Sequence, residues 1–367
     1  MTKESRVSPN ATGVDRRNFI KSGAIASAGA VTAAALGSGT AAPQNVGKPV
    51  SIDLHTHWTP PAYSKALAKL ARGGGGGDNP DSLSSNLTKR IEWMDTHGVQ
   101  MHVLTLSGGM PWQWVPPDVG DTLAKIINDA GVEAHLAHPD RYMAGIEVSI
   151  RDPKLALKEL NRMAGKPGMR AVHLPNSFEG RDYLFEPQYD EFLARVEELG
   201  YPLLFHPLDG DINYYSRERI DDPLSVKANL MNTLGFPFEH ATTAAKFIIY
   251  GTLDKYPKLE IVLPHSGGVF PYIAGRIAHD YDKPVDIKLK HPFIDYVRRF
   301  HYDTLTYFPE TMRFLVTQVG SDRVVIGTDN YAIMDVEYPN ALIEEINLPA
   351  EDLNLILKGN AARLLKL

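Results

Sequence analysis

Short apolar runs alternate with amphipathic stretches along most of this chain, and this alternation limits the possible folds. Eight of the runs have the length and composition of buried strands. They are Val50–Leu54, Met101–Leu106, Tyr142–Val148, Met169–His173, Pro202–Phe205, Leu259–Leu263, Phe300–Asp303 and Val324–Ile326. Strands that alternate with helices pair in parallel, because parallel neighbours need a crossover connection. The order therefore predicts an α/β fold with a parallel sheet.

The stretches between the strands have the periodicity of surface helices. In the segment 121–137, Leu123, Ile126 and Ile127 recur at helical spacing. Further helices are predicted over 88–97, 153–164 and 187–199. Gly235 and Pro237 are expected to divide the long helical region 226–255 into two helices, because proline interrupts a helix interior.

The architecture of the parallel sheet follows from the number of strand–helix units. An open doubly wound sheet is the alternative, but no glycine-rich phosphate turn follows the first strand. The five glycines Gly73–Gly77 have no strand and helix of the required kind beside them, and they are typical of a flexible insertion. The sequence therefore predicts a single (β/α)₈ TIM barrel over residues 43–367.

The N-terminal region has the pattern of an export signal. Arg16 and Arg17 precede an uncharged stretch of small residues, Ser22–Ala42, and Pro43 follows it. Paired arginines before such a stretch indicate a twin-arginine secretion signal, with a disordered tail as the alternative. The stretch is too poor in large apolar residues to favour stable membrane insertion. We expect residues 1–42 to be removed and the enzyme to be periplasmic or extracellular.

Composition excludes several classes of site. The chain has no cysteine, so disulfides and thiolate metal sites are excluded. Its formal net charge is −6, with scattered Lys and Arg residues, so a basic face for nucleic acid is not indicated. Any metal must be held by imidazole, carboxylate or water.

Polar side chains follow four of the predicted strands at the point where each strand ends. His55 and His57 end the first strand, and a strand directs alternate residues to the same side. His206 follows the fifth strand, His265 the sixth and Asp329 the eighth. The carboxyl ends of barrel strands meet at one face, where active sites of such barrels lie. These side chains are therefore expected to converge.

Three of these histidines and Asp329 form a set that suits a divalent metal ion. We assign His55, His57, His206 and Asp329 as the ligands of one ion, with zinc favoured and manganese as the alternative. A second ion is not expected, because no bridging group such as a lysine ends the fourth strand. An ion with an open position lowers the pKa of bound water to near neutrality.

The remaining histidines are assigned mostly to structural roles. His97 and His102 flank the start of the second strand, and His135 and His138 lie at the end of a helix. Three others are expected at the surface or supporting the site: His279, His291 and His301. His173 ends the fourth strand on the catalytic face, and its role is left open. Trp112 and Trp114 could line an aromatic pocket or pack their own loop. Tyr214, Tyr215 and Arg217, in the loop after the fifth strand, could likewise line a pocket or pack within their own loop.

Several motifs in order resemble one known family. They are Asp53-Leu54-His55-Thr56-His57, Arg90–Val99, Phe205-His206-Pro207, Tyr256-Pro257-Lys258-Leu259, His265–Tyr272, Gly275-Arg276-Ile277, Ile326-Gly327-Thr328-Asp329 and Gly359-Asn360-Ala361. The chain resembles the amidohydrolase superfamily, and within it the branch of aminocarboxymuconate-semialdehyde decarboxylase. The resemblance extends from Asp53 to about Leu365.

The resemblance implies roles for individual residues. It gives His55, His57, His206 and Asp329 as the metal ligands, and His265 as the catalytic histidine that moves protons. Arg276 matches an arginine that reaches the substrate carboxylate of a neighbouring subunit, which implies a homodimer or a larger assembly.

The sequence also departs from the pattern of that decarboxylase. The segment between His57 and the first helix is shorter and carries only Arg72 near its glycine run. Leu208 stands where the family has tryptophan, and 330–332 reads Asn-Tyr-Ala in place of Tyr-Pro-Phe. These departures leave the exact substrate open.

Three functions are compatible with these residues. The first is a metal-dependent non-oxidative decarboxylase of a small unsaturated or aromatic carboxylic acid, with His265 as acid and base. The second is a metal-dependent hydrolase of a lactone, an ester or a C–C bond on the same site. The third, a non-catalytic binding barrel, leaves His265 without a purpose. Release of carbon dioxide, as opposed to new acid groups, distinguishes the first from the second.

Overall fold

The computed structural model describes residues 50–70, 79, 81–107, 110–208, 222–281, 288–332 and 334–367. The predicted signal over 1–42 and the glycine run Gly73–Gly77 lie outside the described residues. The same holds for Arg72 and for the loop residues Tyr214, Tyr215 and Arg217. In the part of the chain that is described, no helix is both long and apolar enough to cross a membrane.

Eight parallel strands close into a barrel. They are β1 Ser51–His57, β2 Val99–Thr105, β3 Tyr142–Glu147, β4 Met169–Pro175, β5 Leu203–His206, β6 Ile261–Leu263, β7 Phe300–Asp303 and β8 Val324–Val325. Each strand pairs in parallel with the next one along the chain. A parallel bridge joins Asp53 to Ile326, and the backbone N–H of Leu54 donates to the carbonyl of Ile326 at 3.0 Å. This bridge between β1 and the residue after β8 closes the ring, and the TIM-barrel prediction is confirmed.

Helices surround the strands, and within the described residues fourteen are α-helical. They are α1 Pro61–Leu67, α2 Leu87–His97, α3 Pro117–Ala137, α4 Pro153–Met163, α5 Asp190–Leu199, α6 Pro223–Lys227, α7 Phe236–Ile249, α8 Thr252–Lys255, α9 Phe270–Tyr281, α10 Phe293–Val297, α11 Pro309–Val319, α12 Pro339–Glu345, α13 Ala350–Asn354 and α14 Asn360–Leu365. The helix predicted over 121–137 begins earlier, at Pro117, because proline suits the first turn. The break expected at Gly235 and Pro237 is wrong: Gly235 is helical, with φ −58° and ψ −53°, and a π-helical turn, Met231–Gly235, leads directly into α7. The region 226–255 is interrupted instead near Asn229 and Gly251, whose φ values of 54° and 69° end the helical path.

The apolar core has two parts. The larger lies between the outer faces of the strands and the helices, and it includes Phe247, Leu263 and Phe300. The smaller fills the barrel interior. Its members are Ile52, Leu54, Met101, Val103, Met143, Ala171, Leu204, Val262, Val325, Ala361, Leu364 and Leu365. The last three belong to α14, so this helix packs into the interior cluster beside the strands. The interior is a packed core beneath the catalytic face, not a pore.

Candidate metal centre

The five predicted site residues converge at the carboxyl ends of the strands. One ligand atom from each of His55, His206, His265 and Asp329 lies within 4.8 Å of all the others. The Nε2 atom of His57 lies 2.7 Å from Oδ1 of Asp329, and the His57 and His206 rings are 4.7 Å apart. All five side chains are buried or nearly so. The structure therefore brings together both the residues predicted as ligands and the one predicted as catalytic.

An irregularity in β1 separates its apolar part from the two histidines. Between Asp53 and Thr56, β1 advances three residues while its partner advances two, from His102 to Leu104. An extra residue of this kind bends a strand and changes the direction of the side chains that follow. Ile52 and Leu54 join the barrel interior, whereas the residues after the shift carry the site.

Three of the histidines present Nε2 to the centre because their Nδ1 atoms are hydrogen bonded. Nδ1 of His55 donates to Oδ2 of Asp303 at 2.7 Å. Nδ1 of His57 donates to the carbonyl of Leu106 at 3.2 Å, and Nδ1 of His206 to the carbonyl of Pro207 at 2.8 Å. These oxygens only accept, so each neutral ring carries its hydrogen on Nδ1 and has a lone pair on Nε2.

The resulting donor set fits a divalent cation. The lone pair on Nε2 of His57 faces Oδ1 of Asp329 at 2.7 Å, and Nε2 of His55 lies 3.4 Å from the same oxygen. The Nε2 atom of His55 has no hydrogen-bond partner among the described residues. Two acceptors that face each other repel unless a proton or a cation lies between them. Three imidazole nitrogens and one carboxylate are ligands that first-row divalent ions accept.

Electrostatics favour the ligand forms of most of these groups. Burial lowers the pKa of His206 well below its ordinary value, and the neighbouring imidazoles lower it further, so the ring is neutral. Burial also lowers the pKa of His57. Burial would raise the pKa of Asp329, but its close approach to the imidazoles of His265, His57 and His55 outweighs burial and holds the pKa below the usual range. For His55, burial is outweighed by Asp303 and Asp329, which raise its pKa.

Asp303 supports the centre, although it was not among the site residues predicted from the sequence. Its Oδ2 accepts from Nδ1 of His55 and from the backbone N–H of His265, at 2.7 and 2.9 Å. Its Oδ1 accepts from the backbone N–H groups of Ser266 and Leu305, at 2.7 and 3.1 Å. One fully buried carboxylate thus fixes both a candidate ligand and the loop of His265. Its position at the end of a predicted strand was a signal that could have identified it.

His265 lies in a tight loop with unusual backbone geometry. His265 and Ser266 have φ values of 51° and 57°, and Asp329 has 58°. Side-chain-bearing residues adopt this left-handed region at a cost, and such residues concentrate at functional sites. Nδ1 of His265 lies 2.9 Å from Nε2 of His240, a residue of α7 that was not predicted to belong to the site. Burial lowers the pKa of His240 well below its ordinary value, so this ring is neutral.

Two cavities large enough for a small molecule adjoin the centre. One has a volume of about 540 Å³, and its floor includes His57, His206 and Asp329. Its described walls are mostly small and polar: Thr59, Ser64, Asn79, Ser82, Ser84, Ser85, Ser107, Asn229, Met231, Asn232, Phe236, Tyr331 and Ala332. The other has about 390 Å³ and contacts His265. Asn232 borders both cavities. A small molecule in the first cavity reaches the candidate ligands directly.

Trp112, Trp114 and Arg276 are not among the described residues that line the two cavities, whereas His173 borders a small cavity that also contacts His55 and Asp303. Trp112 is 1% exposed and packs in the outer core, with Trp114 partly buried against it. Arg276 is exposed on α9. His173 is buried, and its Nδ1 lies 2.7 Å from Oε1 of Glu147.

His301 was expected either at the surface or in support of the site, and both expectations are wrong. It is fully buried near the amino end of β7, where Nε2 lies 3.0 Å from Oε2 of Glu260. This pair lies at the end of the barrel opposite the metal centre, because Asp303 occupies the carboxyl end of the same strand. His279 and His291 are exposed, as expected.

Comparison with known proteins agrees with this geometry. The family model described as Amidohydrolase matches residues 52–367. A gamma-resorcylate decarboxylase from Rhizobium sp. (strain MTP-10005) is 29% identical over 291 residues, which cover 76% of this chain and 86% of that protein. A 2-amino-3-carboxymuconate-6-semialdehyde decarboxylase from Dictyostelium discoideum is 25% identical over 340 residues, which cover 87% and 92% of the two chains.

A solved structure shares the fold over almost its whole length. The dihydroxybenzoic acid decarboxylase from Polaromonas sp. JS666 superposes with a TM-score of 0.73 at 25% identity, covering 86% of this chain and 97% of that one. That protein was crystallised with bound manganese and the inhibitor 2-nitroresorcinol.

Proposed function

Because the chain belongs to the amidohydrolase family, we propose that it is a metal-dependent non-oxidative decarboxylase of a small aromatic or unsaturated carboxylic acid. The observation that carries the proposal is the floor of the larger cavity, where neutral imidazoles and Asp329 converge beside His265. The reaction type is supported by the relatives, whose names describe decarboxylases of small unsaturated or aromatic acids.

The residues of the centre have two roles in this reaction: four would bind the ion, and His265 transfers the proton. His55, His57, His206 and Asp329 would hold the ion, which supplies Lewis acidity toward an oxygen of the substrate. His265 donates a proton to the carbon that bears the carboxylate, so a C–H bond forms there. The bond from that carbon to the carboxyl group then breaks, carbon dioxide leaves, and the electron pair restores the unsaturated system. His265 regains its proton from solvent.

The identity of the ion is part of the proposal. Three imidazole nitrogens and a carboxylate favour zinc, and the similar Polaromonas enzyme holds manganese, so both are to be tested. Hydrolysis of a lactone, an ester or a C–C bond is not favoured, because the relatives compared above are decarboxylases.

The experiment is a substrate panel with purified protein loaded with zinc or with manganese. We expect carbon dioxide release from hydroxylated benzoic acids such as gamma-resorcylate, measured by mass spectrometry together with loss of the acid. Lactones and esters in the same panel are followed through the acid groups that hydrolysis creates. Turnover of lactones or esters without any release of carbon dioxide would refute the decarboxylase assignment.

A His265→Ala variant separates the roles of the residues in the centre. We expect metal content to be retained while turnover falls by about 10²- to 10⁴-fold, the usual contribution of a proton-transfer group. Equal loss of metal and turnover would instead make His265 a ligand, which its position within 4.8 Å of the other ligand atoms makes a real alternative.

We also propose two properties of the protein in its cell. Arg276, exposed on α9, would reach the substrate carboxylate of a second copy in a homodimer or larger assembly. The segment 1–42 would direct export to the periplasm or beyond through the twin-arginine machinery. Replacement of Arg16 and Arg17 by lysine should keep the protein inside the cell with this segment attached, as seen by fractionation and mass spectrometry. Unchanged export of the variant would refute the signal.

A further inference from the structure

We propose that His240 is a positioning residue for His265. Its hydrogen bond commits the Nδ1 atom of His265, so that proton transfer by His265 is confined to Nε2. The inference rests on the proposed decarboxylase function, in which His265 is the group that moves the proton. His240, on α7, is not among the described residues that line the two cavities.

The two nitrogens of His265 have partners on opposite sides. Nδ1 lies 2.9 Å from Nε2 of His240, and the two ring centroids are 5.1 Å apart. Nε2 lies 3.8 Å from Oδ2 of Asp329, toward the candidate ligands. An imidazole held at one nitrogen cannot turn over without breaking that bond. The pair therefore determines which nitrogen of His265 faces the substrate.

His240 has no other polar role among the described residues. Its side chain is fully buried, and its Nδ1 has no hydrogen-bond partner in the described part of the chain. A buried imidazole without hydrogen bonds is unfavourable, because both nitrogens lose their contacts with water. The single bond to His265 is what offsets that cost. A buried apolar residue would fill the same position in α7 more favourably if packing alone were needed.

The backbone around the pair fixes their separation. The amide groups of His265 and Ser266 both donate to Asp303, which holds the loop after β6. At the other end of this loop, a Cβ on Gly268 would lie 2.0 Å from the carbonyl oxygen of Pro237, in the first turn of α7. Only glycine permits that approach, so the loop and the helix are held together independently of the histidine pair. The 2.9 Å contact is thus set by the fold.

The kinetic test compares His240→Leu with His240→Gln. Glutamine carries a hydrogen-bonding group close to the position of the histidine Nε2, whereas leucine fills space without one. We expect His240→Leu to lower kcat by about 10- to 100-fold, as for residues that orient a reacting group, with KM and metal content unchanged. His240→Gln should recover part of kcat. His301→Leu, which removes a buried histidine at the opposite end of the barrel, should leave kcat unchanged.

A second measurement does not depend on turnover. Protein labelled with ¹⁵N-histidine should show a downfield imidazole N–H resonance from the hydrogen bond between the two rings. We expect it to vanish in both His240→Leu and His265→Ala and to persist in the His301 control. An unchanged kcat in His240→Leu, or a resonance that survives either substitution, would overturn the proposal. Wild-type protein with this resonance but no carbon dioxide release would overturn the decarboxylase assignment instead.

Discussion

At the scale of single residues, the metal centre depends on side chains whose second nitrogen is already occupied. His206 donates from Nδ1 to the carbonyl of its own neighbour, Pro207, at 2.8 Å, so its Nε2 is directed to the centre without help from a distant residue. His55 relies instead on Asp303, on the strand next to the last. Changes in the surroundings of these two candidate ligands should therefore affect them differently: a change at Asp303 should disturb His55 and leave His206 in place.

Replacement of His206 by alanine should remove both metal and activity. Burial keeps the pKa of this ring low, so it is neutral at physiological pH and can bind metal, and too few candidate ligands remain without it. Elemental analysis and turnover are measured on the same preparation. His279→Ala, at an exposed histidine of α9, is the matched control. Full metal content in His206→Ala would exclude it as a ligand.

Asp303→Asn should weaken metal binding without removing a ligand. The amide can still fill the space, but its NH₂ group cannot accept the hydrogens that both carboxylate oxygens now accept from His55, His265 and Ser266. Loss of such a supporting group typically lowers metal affinity or activity by about 10- to 100-fold. Competition with a chelator measures the affinity. An affinity equal to that of the unmodified protein would contradict the role given to Asp303.

The contrast between Asp329 and His240 shows what the sequence could predict. Asp329 follows an apolar strand, and the rule that barrel strands end at the catalytic face places it correctly without any structure. His240 lies within a helix, where nothing in the local pattern distinguishes it from a packed residue. Its contact with His265 depends on how α7 docks against the loop after β6. Trp112 shows the same dependence, because its loop could have turned it toward a pocket, yet it is buried in the outer core.

At the scale of elements, the loop after β6 is the most constrained segment of the site. Gly268 has a φ of 61°, and a Cβ there would also lie 2.6 Å from the carbonyl carbon of Pro237. This neighbour is backbone at the start of α7, so it cannot move aside as a flexible side chain would. The close approach joins two elements that carry His265 and His240.

Gly268→Ala should therefore destabilise the protein and lower its turnover. Clashes of this kind cost about 1–3 kcal/mol, and the shift needed to relieve them would separate the loop from α7. Gly275→Ala is the control, since nothing lies within 4 Å of a Cβ added there and alanine favours a helix such as α9. Thermal unfolding of the two variants gives the comparison. Equal melting temperatures would contradict the prediction and show that the loop after β6 can shift to accommodate a Cβ at residue 268.

At the scale of the whole molecule, α9 is the helix that would face a second copy in the proposed assembly. Arg276 lies on this helix beyond the loop of His265, and Tyr272 on the same helix stacks on Phe314 of α11 with ring centroids 4.8 Å apart. Both rings remain about two-fifths exposed, at 42% and 41%. A guanidinium beside exposed aromatic rings is a combination that protein interfaces favour.

A mixing experiment tests whether Arg276 serves a neighbouring site. His265→Ala and Arg276→Ala are prepared separately, and the two weakly active proteins are dissociated and reassembled together. If Arg276 acts across a two-fold interface, each mixed dimer has one site with both lesions and one with neither, so part of the activity returns. Mixed dimers that form but stay inactive would show that the arginine does not cross.

The packing of α14 into the barrel interior also determines when the protein can fold. Ala361, Leu364 and Leu365 complete a cluster that includes Ile52 and Leu54 of the first strand. Residues more than three hundred positions apart must therefore meet before that interior is filled. During synthesis, the first strand cannot complete this packing until residues 360–365 have left the ribosome. A nascent chain therefore exposes its unfilled interior to chaperones and proteases until those residues have emerged.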